Sequence, residues 1–139
     1  MAARPRIFEF AVELTEPGDV TGDRGGTPLP AAERDEWTPE HLVLAGLARC
    51  SLKSLDYHAG RAGIVATSSA SVSGTVTRRE TDGRFAFVEI RVAATVTLDP
   101  EPDDAGVEAL LAKGERDCFV GASLSLEPVY TWTVNGRQR

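Results

Sequence analysis

The sequence predicts an α+β fold with an antiparallel sheet and one long, buried apolar helix. Three features carry this expectation. A helix signature opens at Thr38-Pro39-Glu40 and continues apolar nearly all round from Leu42 to Ala48. A long alternating hairpin follows, with its turn at Thr81-Asp82-Gly83. A last alternating stretch, residues 129–135, closes the chain. The order of strands, long helix, long hairpin, helices and strand suits α+β and not a doubly wound parallel sheet.

Each element has its own local cause. Over residues 6–14, Phe8, Phe10, Val12 and Leu14 alternate with Glu9 and Glu13, the pattern of a half-buried strand. Residues 15–37 are rich in Gly, Pro and Asp and read as turns, with two short strands near 19–21 and 28–32. Thr38 can cap a helix, Pro39 suits its first position, and Glu40 complements its positive end. A helix apolar on every side is buried inside the protein or an oligomer. It runs on through Leu52 and Leu55 and stops near Gly60 or Gly63.

In the hairpin, Val72, Gly74 and Val76 alternate with Ser71, Ser73, Thr75 and Thr77. On the return strand, Val88, Ile90, Val92, Ala94, Val96 and Leu98 share a face; the opposite face is mixed polar, so the sheet covers a core on one side only. Residues 100–104 break the strand and cap a second helix with the stripe Val107, Leu110 and Leu111, ended by Gly114. A short third helix carries Cys118, Phe119 and Val120. In the final strand Tyr130, Trp132 and Val134 face one side and are most simply core or interface residues.

The chain has 139 residues, enough for one domain over 1–139 with a real core. It is 26% charged and 42% apolar, which fits a globular protein and argues against disorder. A net charge of −6 without a concentrated basic face disfavours nucleic acid as a partner. No apolar run reaches the length of a membrane span, and the first residues lack the apolar core of a secretory signal. The expected location is therefore the cytoplasm, where two cysteines are reactive or simply buried more often than permanently bridged.

Cys50 and Cys118 lie 68 positions apart (118 − 50), each in a helical context. Cys50 stands about three turns into the long helix, where Arg49, Ser51 and Lys53 turn the helix polar. A reactive thiolate needs a cation or a helix N-terminus beside it. Arg49 points about 100° away, so Arg24 and Arg34 of the preceding loop are the better sources of charge. Cys118 lies near a helix start, which favours thiolate. For either cysteine alone, simple burial is the competing reading. Glu40 is explained by helix-dipole complementarity; in a functional role it would hold an arginine over Cys50, since the sulfur is about 15 Å further along the helix.

His41 and His58, about 25 Å apart on one helix, do not make a metal set with the cysteines. Residues 18–26 contain no Lys and precede no helix, so they are not a phosphate-binding loop, and no cofactor is expected. No nucleophile elbow is present, nor the Cys–His–Asn pattern of a cysteine hydrolase.

The run Thr38-Pro-Glu-His-Leu-Val-Leu-Ala-Gly-Leu-Ala-Arg-Cys50 resembles the central-helix signature of the OsmC/Ohr proteins, and Cys118-Phe-Val-Gly-Ala-Ser-Leu124 is similar to their second-cysteine segment. The order of elements and the closing aromatic strand are similar too, so the resemblance covers nearly the whole chain. It implies an OsmC-like intertwined homodimer with its central helices buried between two sheets. It also implies thiol peroxidase chemistry on organic hydroperoxides. Cys50 would attack the peroxide and become a sulfenic acid, and Cys118 would resolve it as a disulfide. A thiol reductant, a dithiol such as a lipoyl group or a small thiol, would then reduce the disulfide. Glu40 matches the family's helix-opening glutamate, which pairs with an activating arginine. That arginine follows a Gly in the turn after the first strand. Here the turn reads Pro17-Gly18-Asp19, which leaves Arg24 as the nearest substitute and Arg34 as the next. The absent turn arginine favours the alternative of a non-catalytic, stress-related protein holding a small hydrophobic ligand in the dimer cleft.

Overall fold

The computed structural model describes residues 6–16, 18–30 and 36–139. Two compact units divide at Glu40 and His41. In the first, β1 (Val12–Leu14) pairs antiparallel with β2 (Val20–Gly22), and Val20 bridges to Leu29. The Thr15 amide and hydroxyl both donate to the Asp19 carbonyl, at 2.9 and 3.2 Å, which closes the turn. The strand expected over 6–14 is only three residues long, and Phe8, Phe10, Val12 and Leu14 are exposed, not half-buried. Strands of three residues in a two-stranded ribbon provide no second layer to cover either face. Of the expected strand near 28–32, Leu29 forms the bridge, while 31 and 32 lie outside the described residues.

The long helix, α1 (Pro39–Arg61), starts and stops where its sequence signals place it. Gly63, with φ 74°, takes the left-handed conformation past its end, and the Ile64 amide donates back to the Ala59 carbonyl at 2.8 Å. Within the single chain α1 is not buried all round. Leu47, Ser51, Leu55 and Ala59, four apart, form its buried stripe. Leu42 and Val43 remain 45% and 37% exposed.

β3 (Val65–Arg78) and β4 (Phe85–Asp99) form the long hairpin. Register runs Thr75↔Glu89 and then Val76↔Phe87, so Val88 is a bulge without a partner. One extra residue reverses the alternation beyond it. Ile90, Val92, Ala94, Val96 and Leu98 are buried as expected, but Val88 turns outward and Phe87 packs toward the core in its place.

α2 (Asp104–Arg116) is capped by Asp103, whose Oδ1 accepts the Gly106 amide at 2.7 Å. Val107, Leu110 and Leu111 are buried as the stripe predicts. Gly114 does not end this helix. It sits inside it, where a Cβ would lie 3.4 Å from the Leu55 backbone, so the missing side chain lets α2 close on α1. That packing outweighs the roughly 1 kcal/mol that glycine costs a helix. The short α3 (Phe119–Ser123) follows.

β5 (Val129–Val134) then joins β4 in parallel, from Arg91↔Val129 to Val96↔Val134, and β6 (Arg137–Gln138) folds back antiparallel on β5. The sheet order β3-β4-β5-β6 therefore contains one parallel pair among antiparallel ones. The helical crossover between β4 and β5 is what a parallel pair requires. The larger core cluster joins Leu55 and Ala59 of α1, Val107, Leu110 and Leu111 of α2, and the inward residues of β4 and β5. Leu47, Cys118, Ile90 and Val92 form a second, with Cys50 packed against it.

Candidate functional site

The two cysteines, far apart in sequence, meet at the start of α3. Cys118 is the residue that caps this helix, in extended conformation (φ −75°, ψ 108°), and its Sγ accepts the Gly121 amide at 3.4 Å. Cys50, projecting from α1, accepts the next amide back, that of Val120, at 3.5 Å. Consecutive N–H groups of one short helix thus each point at a different sulfur. Both thiols are free; Cys118 is fully buried and Cys50 partly exposed.

Burial pushes the Cys50 thiol up from its ordinary value of 9.0, and the neighbouring Cys118 thiol raises it further, while the Val120 and Phe119 amides pull it down. A positive charge is not among these principal influences.

Two residues given no role by the sequence reading complete the site. Ser51, next after Cys50, occupies the buried stripe of α1 at 1% exposure. Its Oγ lies 3.6 Å from Cys118 Sγ and 2.9 Å from the Tyr130 hydroxyl. Tyr130 stacks on Trp132 with ring centroids 5.7 Å apart, and the Trp132 indole donates to Glu115 Oε1 at 2.7 Å. Burial is the main reason the Tyr130 phenol is pushed up to about 12, so it stays protonated at neutral pH. A sequence signal for Ser51 exists: it is the one polar member of an otherwise apolar i, i+4 series, Leu47, Ser51, Leu55, Ala59.

The segment before Cys118 is tied to α1 through His58, whose Nε2 lies 2.7 Å from Asp117 Oδ2. The Arg116 guanidinium, at 2.9 Å, is the main cause that holds the Asp117 carboxyl down at about 2, and His58 adds to it.

The remaining expected site residues are placed differently. Glu40 is exposed in the first turn of α1. Arg24 belongs to the first compact unit, where its guanidinium donates to the Glu9 carbonyl at 3.3 Å and lies 4.7 Å from the Phe10 ring centroid. Arg34 lies outside the described residues. Neither cysteine lines the surface depression of about 280 Å³ formed by Ser71, Val72, Arg91, Val129 and their neighbours. Among the described residues no helix is long and apolar enough to cross a membrane.

Fold and site together define an α+β protein whose two reduced thiols converge on one short helix. The family model of the OsmC-like protein matches residues 32–133. Among solved structures, an OsmC-like protein of unknown function from Vibrio cholerae superposes with a TM-score of 0.72 at 14% identity, covering 91% of this chain and 99% of that one. An OsmC-like protein from Mycoplasma pneumoniae gives 0.68 at 19% identity, covering 94% and 99%. An organic hydroperoxide resistance protein from Elizabethkingia anophelis, crystallised with thiocyanate bound, gives 0.61 at 20% identity, covering 94% and 98%. Comparison with the curated proteins returns no match. The chain belongs to the OsmC family.

Proposed function

We propose that this protein is a cysteine-based thiol peroxidase that reduces organic hydroperoxides. The observation that carries the reading is the convergence of two free thiols on adjacent amides, Val120 on Cys50 and Gly121 on Cys118. The name of the Elizabethkingia relative supports the substrate class. Cys50, the more accessible thiol, attacks as thiolate. Its sulfur bonds to the peroxide oxygen, the O–O bond breaks, and the alcohol leaves with a proton. The resulting sulfenic acid is resolved by Cys118: the S–S bond forms and water departs. An external thiol, a dithiol such as a lipoyl group or a small thiol, returns the pair to the reduced state.

The catalytic set is Cys50 and Cys118, with Glu40 and an arginine as activating partners. Arg24 is the described candidate and Arg34 the second. Activation matters because burial works against the Cys50 thiolate. The acting form is a homodimer of one OsmC-like domain over residues 1–139, in the cytoplasm. The exposed apolar residues of α1, Leu42 and Val43, support the dimer, since a second copy would cover them.

Stopped-flow consumption of an alkyl hydroperoxide tests the reading. Cys50→Ser abolishes turnover, and Cys118→Ser completes one turnover and stalls. A wild-type rate no faster than free cysteine overturns it. The upward push on Cys50 favours a second reading, a non-catalytic protein that binds a small hydrophobic ligand in the dimer cleft. Co-purification of such a ligand with thiols inert to peroxide would establish that one.

A further inference from the structure

We infer that Ser51 is a positioning residue for the resolving thiol: its hydroxyl, held by Tyr130, orients Cys118 Sγ and donates to that sulfur when it attacks Cys50. This rests on the thiol chemistry proposed above and assigns a residue to its second half.

The geometry supplies the argument. Ser51 stands at 1% exposure between Leu47 and Leu55, where burial disfavours a hydroxyl without a partner. Its contacts are the Tyr130 hydroxyl at 2.9 Å and Cys118 Sγ at 3.6 Å. Each of the three groups can donate or accept. With Cys118 as thiol, S–H donates to Ser51, and Ser51 donates to Tyr130. With Cys118 as thiolate, the chain reverses: Tyr130 donates to Ser51, and Ser51 donates to sulfur. The Gly121 amide donates to the same sulfur in either state. The reversal requires a phenol that keeps its proton, as a phenol does at neutral pH; burial of Tyr130 only strengthens this. The titratable groups facing this chain are Cys50 on α1, Tyr130 on β5 and, through its charge on Tyr130, Glu115 on α2.

Cys50 takes its amide from Val120, and Ser51 projects about 100° from it around α1. The hydroxyl therefore serves one thiol and not the other. In the resolving step the Cys118 sulfur bonds to the Cys50 sulfur and the Cys50 S–O bond breaks. The departing hydroxide takes up the proton lost by Cys118, giving water.

The test separates the two steps in single turnover. Sulfenic acid at Cys50 is captured with dimedone, and disulfide formation is followed by mass. Ser51→Ala is expected to leave the first step within about twofold and to slow the second about 10–100-fold, the worth of one hydrogen bond to a charged group. Ser51→Thr, which keeps the hydroxyl, restores the second step, and Tyr130→Phe slows it by less than Ser51→Ala. A wild-type resolving rate in Ser51→Ala overturns the inference. So does equal slowing of both steps, or a Ser51→Thr protein as slow as Ser51→Ala, since either marks a packing role.

Diamide, an azo oxidant, provides an arm without peroxide. The Cys50 thiol adds across its N=N bond, and Cys118 then attacks the Cys50 sulfur and displaces the protonated hydrazide. Ser51-dependent disulfide formation with diamide in a protein inert to peroxide would sustain the role of Ser51 and overturn the peroxidase reading. Failure of the wild type to form the disulfide with diamide would overturn the role of Ser51.

Discussion

Truncating two leucines on the same helix separates what one chain buries from what a second copy would bury. Leu47 is fully buried against Cys118, Ile90 and Val92. Leu47→Ala removes apolar atoms from a closed environment and leaves a cavity, which costs about 3 kcal/mol within the usual range of about 2–5. Leu42 is 45% exposed in the single chain, so Leu42→Ala forfeits roughly half of a leucine's burial, about 1 kcal/mol. If a homodimer covers Leu42, that figure rises toward about 2 kcal/mol per protomer when the protein is assembled and returns to about 1 on dilution. Urea unfolding of both variants at two protein concentrations reads this directly, with the slope checked to keep the comparison two-state. A Leu47→Ala cost below about 1 kcal/mol would refute the packing of α1 on β4. A Leu42→Ala cost independent of concentration would refute an assembly that buries this face.

Other consequences follow from single contacts. Asn135 adopts φ 48° while its side chain accepts the Leu98 amide at 2.8 Å and donates to the Leu98 carbonyl at 3.1 Å. Asn135→Ala should lose about 2–3 kcal/mol in thermal or urea unfolding, and Asn135→Gly less, because glycine relieves the backbone term. Asp117 is held at about 2 chiefly by Arg116, below its ordinary 3.8. Its contribution to stability is therefore complete above the ordinary value and lost as pH falls from about 4 toward about 2, so acid unfolding of Asp117→Asn should lack that decline. Burial raises the Cys50 thiol above its ordinary 9.0, so without a cation beside the sulfur, sulfenic acid formation in Cys118→Ser should still be climbing at about pH 9; a plateau already reached at neutrality marks the activating arginine in place.

The elements legible in the sequence are those with local causes. Pro39 and Glu40 mark the start of α1, Gly63 its end, and alternation marks β4 and β5, because capping, left-handed glycine and pleating act over a few residues. The features that escaped depend on contacts between distant segments. Val88 alternates perfectly with Ile90, yet the bulge opposite Thr75 and Val76 turns it outward. Gly114 carries the usual mark of a helix end, but its reason for being glycine is the backbone of Leu55 across the interface. Phe8 to Leu14 alternate like a covered strand, and nothing in alternation says whether a covering layer exists. The site divides the same way. Both thiols are legible as cysteines in helical contexts. Their convergence on adjacent α3 amides, and the hydroxyl of Ser51 beneath Cys118, arise only when α1 and α3 pack together.

That packing makes α1 the common support of both thiols. Cys50 and Ser51 are consecutive, so one turn of helix sets the direction of the first sulfur and, through a hydroxyl, of the second. The opposite side is equally compact: Val120 and Gly121 are consecutive on α3, and the segment leading into it is tied to α1 by the His58–Asp117 pair. A rigid shift between α1 and α3 would therefore change the Val120–Cys50 and Ser51–Cys118 contacts at once, while the Gly121–Cys118 contact, internal to the cap of α3, moves with that helix. Ser51 differs in kind. Its removal keeps both helices and both amide contacts in place while taking away one donor to one sulfur. Substitutions at the α1–α3 contact should thus disturb attack and resolution together, and Ser51 is the position where the two can be pulled apart.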